Sequence, residues 1–192
     1  MKTTLLTFVF ILFTSFLFAQ DKMELLPEGF KTSQVDQSSE FLIIDIPGKT
    51  QEQLYKATLV YLNGTFRNPK NVITAVESES VIVNAYTDAF GANSELKNYE
   101  LWYNLNMKFK DGKIRFEPII VDLAQTFMDQ PKRTVYISST DSSNPAEINC
   151  VWMHSKKDNN YFVFNQELKA SLDTWINTII NDLKTGIEKS DW

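Results

Sequence analysis

The sequence predicts an α+β fold, in which an antiparallel β-sheet carries helices on one of its faces. Three observations indicate this fold. Residues 99–109 alternate between apolar and polar side chains, which is typical of a strand with one buried and one wet face. Residues 165–187 repeat apolar side chains at helical spacing, and residues 41–46 form a short apolar run before a helix-capping pattern. The predicted order is strand, helix, four main strands and helix.

The first strand and helix are predicted on either side of a Pro-Gly turn. Residues 41–46 are rich in β-branched side chains, which favours a buried strand that ends at Pro47. Thr50 and Gln53 fit a capping box, in which each side chain bonds the backbone N–H of the other. Gly64 stands where a glycine often follows the last helical turn. We therefore predict a helix over residues 51–63.

Two β-hairpins are predicted in the middle of the chain. Residues 72–76 and 81–86 are β-branched runs separated by four polar residues. Residues 99–109 lead through Asp111-Gly112, a turn that tolerates positive φ, into a return strand over residues 114–123. Because proline cannot donate to the ladder, we expect a β-bulge at Pro118, where the apolar phase switches. The switch runs from Ile114 and Phe116 to Ile119, Val121 and Leu123.

The last third of the chain is predicted to end in a long amphipathic helix. Residues 124–148 contain a run of serines and read as a loop insertion, irregular from residue 126 onwards. Residues 150–153 and 161–164 predict a smaller hairpin, and Asn165 is the predicted N-cap of the helix. We expect its apolar stripe to pack on the odd-numbered side chains of residues 99–109 and to be the main source of stability. The stripe consists of Leu168, Leu172, Trp175, Ile176, Ile179, Leu183 and Ile187.

Residues 1–19 have the layout of a secretory signal peptide. Lys2 supplies a positive start, residues 5–18 form the apolar region, and Ala19 is the small residue at the predicted cleavage position. A membrane anchor is the alternative, but the apolar run is at the lower length limit for a span and is interrupted by threonine and serine. We therefore predict an exported protein, periplasmic or secreted, that meets the membrane only through this segment. Residues 20–40 are predicted to be a polar arm and residues 41–189 a single domain.

Composition excludes several classes of function. One cysteine cannot form an internal disulfide, and one cysteine with one histidine cannot build a four-ligand zinc site. The net charge of −5 and the pI near 5.0 argue against a nucleic-acid partner, which requires a basic surface. A chain that is 43% hydrophobic and 22% charged is globular rather than disordered. We predict no cofactor and no metal.

Gly48-Lys49-Thr50 lies between a predicted strand and helix, which is the context of a phosphate-binding P-loop. The complete motif needs a second glycine five residues before Gly48, but Ile43 stands there, inside the strand. We therefore interpret these residues as a turn followed by a threonine cap. A weak anion contact at the helix N-terminus remains a minor alternative.

The remaining candidates for chemistry are single residues. His154 is predicted to lie at a strand end, and Cys150 is predicted to be buried and inert. Their spacing on one strand would place them about 13 Å apart, too far for a catalytic dyad. Glu77 and Glu79 would point to water from a hairpin turn, where no pKa is tuned for acid–base work. Trp102 shares the wet phase of its strand, so it either marks a contact surface or is covered by the arm or by the loop from residue 126.

Three stretches carry a resemblance to a known family. They read FLIIDIPGKTQEQLYKATLVYL, NVITAVESESVIVNAY and YELWYNLNMKFKDGKIRFEPIIVDL. Together with the C-terminal helix, they resemble the DUF4468 family of exported Bacteroidetes proteins, which is described as having a TBP-like fold. The resemblance implies a curved antiparallel sheet with helices on one face. It implies no active site, because the family is uncharacterised.

Export and the lack of a catalytic motif predict a non-catalytic protein of the cell envelope. We expect a binding or interaction module whose partner is an envelope protein, a glycan or a small apolar molecule. A hydrolase built on carboxylates brought together by folding is one alternative, and a purely structural assembly module is another. No catalytic, cofactor-binding, metal-binding or ligand-binding residue is assigned from the sequence.

Overall fold

A computed structural model describes residues 22–32, 39–90, 97–127, 131–140 and 149–190. The predicted signal peptide at residues 1–19 lies outside the described residues. The helices are α1 Gln51–Thr65, α2 Pro69–Val72 and α3 Gln166–Lys189. The strands are β1 Met23–Leu26, β2 Gly29–Thr32, β3 Leu42–Asp45, β4 Ile73–Val76, β5 Ser80–Phe90, β6 Lys97–Lys110, β7 Lys113–Phe127, β8 Arg133–Thr134, β9 Tyr136–Thr140, β10 Cys150–Ser155 and β11 Asn160–Val163.

The main sheet is antiparallel throughout, with the strand order β3-β7-β6-β5-β4 and with β8 added beside the end of β7. Helices α1 and α3 pack on one face of this sheet, which confirms the predicted α+β fold. The two predicted hairpins are present as β4–β5 and β6–β7. The long, alternating β6 lies at the centre because both of its edges find complementary strands.

The core forms where the apolar stripe of α3 meets the odd-numbered face of β6. Every odd residue of β6 from Tyr99 to Phe109 is buried, and the rings of Tyr103 and Trp175 meet edge to face at 4.8 Å. This confirms the predicted packing. The most deeply buried positions of the helix differ from the predicted stripe at three residues. Ile180 is buried although it was not predicted, whereas Trp175 and Ile179 are only partly buried at the side of the core. The most deeply buried positions are Leu168, Leu172, Ile176, Ile180, Leu183 and Ile187.

The Asp-Gly turn between β6 and β7 is locked to the loop between β3 and α1. Gly112, at φ +70°, donates its N–H to the carbonyl of Lys49 at 2.8 Å and accepts from the N–H of Ile46 at 2.8 Å. The predicted capping box of Thr50 and Gln53 is present. The prediction that Gly64 follows the last helical turn was wrong. Helix α1 continues through Gly64 to Thr65, and Phe66 is its C-cap.

The bulge in β7 lies at Val121 and not at Pro118. Pro118 pairs in register with Leu105 and is buried, whereas the register shifts between the pairs Trp102–Asp122 and Tyr103–Ile120. Val121 is therefore the extra residue. The expected bulge at Pro118 was misplaced because the proline faces the core at a position where its strand still pairs with β6.

The expectation of an irregular loop insertion over residues 124–148 was wrong for its described parts. Residues 124–127 continue β7, Val135 is 3% exposed, and β9 pairs in parallel with β10. The predicted hairpin of β10 and β11 is present, so these three strands form a second sheet. The serine-rich composition concealed β9 because a short strand gains its order from the pairing with β10 rather than from its own apolar residues.

The predicted polar arm at residues 20–40 contains a hairpin, β1–β2, that belongs to the core. Met23, Leu25 and Phe30 are 3% exposed or less. The outer edge of β1 is paired by side chains instead of by a strand. The carboxylate of Asp173 accepts from the N–H of Leu25 at 2.7 Å, and the amide of Asn177 bonds both backbone groups of Met23.

Helices α1 and α3 approach each other closely at Gly186. A Cβ atom on Gly186 would lie 2.4 Å from Cδ2 of Tyr61. Glycine costs about 1 kcal/mol relative to alanine inside a helix, so this residue is explained by the space that the tyrosine ring occupies.

We expect Gly186→Ala to lower the free energy of unfolding, because overpacking of about 1–3 kcal/mol outweighs the gain of about 1 kcal/mol in helix propensity. In a Tyr61→Ala background the same substitution is expected to stabilise the protein. Gly64→Ala is the control, since nothing lies within 4 Å of its added Cβ. Urea unfolding of the unaltered protein, the two single variants and the double variant gives the coupling free energy between residues 61 and 186. Equal effects of Gly186→Ala in the two backgrounds would contradict the steric explanation.

Candidate functional site

The face of the main sheet opposite the helices carries an unusual set of exposed side chains. Here this surface is called the open face. Ile82, Tyr86, Ile119 and Val121 are 37%, 44%, 42% and 58% exposed, although large apolar residues are usually shielded. Between them lie polar residues whose register places them on the same face. The open face consists of Ile82, Asn84, Tyr86, Glu100, Trp102, Asn104, Asn106, Lys108, Arg115, Glu117, Ile119, Val121 and Asp122.

An aromatic pair forms one end of the open face. Tyr86 on β5 pairs directly with Trp102 on β6, and their ring centroids are 4.8 Å apart at an interplanar angle of 49°. The ammonium of Lys132 lies 5.5 Å from the centroid of the indole ring and forms a 2.5 Å ion pair with Glu100. Trp102 is thus partly covered by the segment after β7, as one reading of the sequence expected.

The local charge beside the aromatic pair is negative. Partial burial, with the carboxylates of Glu100 and Asp88, raises the pKa of Tyr86, while Lys132 acts in the opposite sense. Two residues of the bulge, Val121 and Asp122, stand opposite Trp102, where a regular strand would place one. The bulge therefore adds an apolar and an acidic side chain to the aromatic end.

A row of asparagines crosses the middle of the open face. Asn84 pairs with Asn104 across β5 and β6, and Asn106 follows two residues along β6. In the described part of the chain, none of these three amides makes a hydrogen bond or an ion pair. Arg115 and Glu117 form an ion pair at 3.3 Å at the far end, where the guanidinium carbon of Arg115 lies 3.9 Å above the ring of Phe41.

The sequence singled out only Trp102 on this face. Asn84, the polar residue inside the apolar run 81–86, marks the outward phase of β5 and is a signal that could have identified Tyr86. Ile119 and Val121 were placed in the same phase as the buried Leu123, because the bulge was expected three residues too early. A phase switch alone does not locate a bulge, since its position is set by pairing with the neighbouring strand.

A second candidate is a groove of about 520 Å³ beside α1, with an apolar wall formed by Leu59 and Val60. Its polar lining consists of Lys49, Gln53, Lys56 and Ser190. The ammonium of Lys49 donates to the carbonyl of Ser190 at 2.9 Å, and Lys56 pairs with Glu52. No carboxylate lies among these lining residues, so the groove lends no support to the alternative of a carboxylate-based hydrolase.

The Gly48-Lys49-Thr50 motif is occupied by interactions within the chain. Gly48 adopts φ +87°, and the backbone N–H groups of Thr50 and Gln51 donate to the side chains of Gln53 and Asp111, each at 2.8 Å. The carboxylate of Asp111 stands where a bound anion would stand at a helix N-terminus. The minor alternative of an anion contact would require displacing Asp111.

The other sequence candidates remain apart from one another. Cys150 is 1% exposed, and burial raises the pKa of its thiol. His154 lies at the end of the same strand with its ring 4.9 Å from that of Tyr161, and Glu77 and Glu79 are exposed in the turn between β4 and β5. Across the described ranges, no three His, Cys, Asp or Glu side chains come together as metal ligands, and no helix is long and apolar enough to cross a membrane.

Comparison with known proteins gives a family match over part of the chain and a similar fold. Residues 41–118 match a family described as "Domain of unknown function (DUF4468) with TBP-like fold". A TBP-like protein from Parabacteroides distasonis superposes with a TM-score of 0.55 at 8% identity, over 79% of this chain and 92% of that one. A DUF4468 family protein from Bacteroides ovatus has a TM-score of 0.47 at 15% identity, over 82% of this chain and 91% of that one. No curated protein matches the sequence.

Proposed function

Since residues 41–118 form a DUF4468 domain of TBP-like fold and that family has no known function, we propose a function from the site itself. The protein is an exported, non-catalytic binding module that holds its ligand on the open face. One observation carries this proposal. Helices cover one face of the main sheet, while the other presents an aromatic pair, exposed aliphatic side chains and three amides that have no partner among the described residues.

Several features support binding rather than catalysis. Exposed apolar side chains that lie together with polar ones around them are typical of interaction surfaces. The acidic side chains near the aromatic pair, Asp88, Glu100 and Asp122, make this end unfavourable for nucleic acid. The TBP-like fold is named after the DNA-binding TATA-box protein, but this analogy is no evidence for DNA binding, since function depends on the site and not on the fold.

Capture from the cell envelope tests the proposed surface. Immobilised protein, with Trp102→Ala as its comparison, is incubated with envelope extract from the cells that make it. Captured proteins are identified by mass spectrometry, and captured sugars are measured after acid hydrolysis. We expect a component that the unaltered protein retains and Trp102→Ala loses. Phe162→Ala is the matched control, because Phe162 is 46% exposed but lies on the second sheet. Equal loss with both variants would contradict the proposal.

Export has its own test. The full chain is expressed in a Gram-negative bacterium, and the N-terminus of the protein in the periplasm and medium is sequenced. We expect cleavage after Ala19, so that the mature chain begins at Gln20. Leu12→Arg, which places a charge in the apolar region, is expected to leave the protein uncleaved in the cell. Full-length protein in the cytoplasm of the unaltered strain would refute export.

A further inference from the structure

We propose that the ligand of the open face is a neutral polysaccharide, whose sugar rings stack on Tyr86 and Trp102 and whose hydroxyl groups bond to the asparagine row. This inference rests on the proposed function and names the chemical class of its ligand. Three properties of the open face support it: its aromatic surface, the amides that are unpaired in the described part of the chain, and the sign of the charge at the aromatic end.

The aromatic pair offers the apolar contact that a sugar ring needs. Tyr86 is 44% exposed, and its ring centroid lies 4.8 Å from that of Trp102 at an interplanar angle of 49°. The faces of a pyranose ring carry C–H groups, while its hydroxyl groups lie around the rim. Aromatic side chains present large, rigid contact area, and those of tyrosine and tryptophan carry a polar group as well. Val121, 58% exposed opposite Trp102, extends this apolar surface.

The asparagine row supplies hydrogen-bonding groups beside the aromatic pair, since Asn84 and Asn104 lie two residues along β5 and β6 from Tyr86 and Trp102. Each amide has two N–H donors and a carbonyl acceptor, and those of Asn84, Asn104 and Asn106 are without partners in the described structure. A protein interface pressed against this row would have to pair every amide or bear the cost of desolvation. A polysaccharide matches it more readily, because adjacent hydroxyls can each donate and accept.

The charges at the aromatic end of the open face favour a neutral ligand over an anionic one. At this end Asp122 and Asp88 carry no ion pair in the described residues and Lys132 is paired with Glu100, whereas the cations Lys108 and Arg115 lie at the opposite end of the face. An anionic polysaccharide would be repelled at the aromatic end, whereas a carboxylate is a strong acceptor for sugar hydroxyl groups. The net charge of the chain, −5, acts in the same direction.

Affinity electrophoresis tests this inference on the purified mature protein. Native gels contain one soluble polysaccharide each: mixed-linkage β-glucan, arabinoxylan, mannan, galactan or amylopectin as neutral probes, and hyaluronan and heparin as anionic ones. We expect at least one neutral probe to retard the protein and both anionic probes to leave it unaffected. Trp102→Ala and Tyr86→Ala should each weaken the retarding interaction about tenfold, and Asn104→Leu should also weaken it. Phe162→Ala and Tyr161→Ala, exposed aromatics of the second sheet, should have no effect.

Each other outcome overturns the inference. Migration unchanged by all five neutral probes would exclude these neutral polysaccharides as the class. Retardation that survives Trp102→Ala would place binding elsewhere on the molecule, and stronger retention by heparin would reverse the argument from charge. If envelope capture meanwhile yields a protein whose retention depends on Trp102, the open face remains the binding surface and only its assignment to a polysaccharide fails. Thermal unfolding of every variant confirms that the fold is intact.

Discussion

Ile176→Asp is expected to abolish cooperative folding. Ile176 is 0% exposed, in the middle of the α3 stripe that packs against the sheet. Truncating a buried isoleucine costs about 2–5 kcal/mol, and burying an unpaired carboxylate adds several more. Because domains of this size are stable by only about 5–15 kcal/mol, this single change removes most or all of the stability. Circular dichroism during thermal unfolding measures the effect.

Two control variants test whether the effect is specific to position 176 or whether α3 tolerates no substitution. Thr178→Asp introduces the same carboxylate at an exposed position two residues away and should leave the unfolding transition nearly unchanged. Ile176→Val keeps the packing but removes one methylene group, and should cost about 0.5–1.5 kcal/mol. A cooperative transition for Ile176→Asp at the temperature of the unaltered protein would refute the packing of α3 on the sheet.

Asp173→Ala is expected to release the N-terminal hairpin and to lower the free energy of unfolding by about 2–4 kcal/mol. One carboxylate oxygen of Asp173 accepts from the N–H of Leu25 at 2.7 Å, and the other accepts from the ammonium of Lys169 at 2.8 Å. Lys169 is held in turn by Glu24 at 2.6 Å. Removing Asp173 leaves a largely buried ammonium with one partner and a backbone N–H with none.

The pKa of Lys169 shows that the contact between α3 and the β1–β2 hairpin depends on the carboxylates of Asp173 and Glu24. Burial lowers the pKa of the ammonium, but the hydrogen bonds that it donates to Asp173 and Glu24 outweigh that effect, so the pKa lies above its ordinary value of 10.5. Without Asp173, the desolvation remains and only Glu24 opposes it. The β1–β2 hairpin then separates from α3 more easily than the rest of the fold does.

Native-state hydrogen exchange measures this release. In Asp173→Ala, the amides of Met23 and Leu25 should exchange faster than those of β6, by a local opening. Asn177→Ala should act in the same direction, because the Asn177 amide bonds both backbone groups of Met23. Asn181→Ala, one turn further along α3 and exposed, is the control. Uniform acceleration across the sheet would instead indicate that the hairpin and the sheet unfold as one unit.

Local patterns predicted most of the main sheet and its helices. The strict alternation of residues 99–109 is compatible only with a strand that has one face in the core, and the stripe around Ile176 is compatible only with a helix packed on such a face. The capping box at Thr50 and the turn at Asp111-Gly112 involve residues adjacent in the chain. The interactions that stabilise the cap and the turn could therefore be predicted from the sequence.

The hairpin at residues 23–32, the strand β9 and the position of the bulge were not visible in this way. Met23 and Leu25 are ordered by side chains of α3 about 150 residues away, and β9 by pairing with β10. A short, polar segment has little preference of its own, so its partner decides its conformation. The bulge at Val121 follows from the register between β6 and β7 and not from the proline nearby.

The sequence by itself determined the α+β class, the core stripe, the capping of both long helices and the likeness to DUF4468, because each depends on spacing along the chain. Only the tertiary structure decided which side chains share the open face, because Tyr86, Trp102 and Val121 come from three different strands and meet through cross-strand register. A binding surface of this kind is a property of strand pairing, which no local pattern in a single strand encodes.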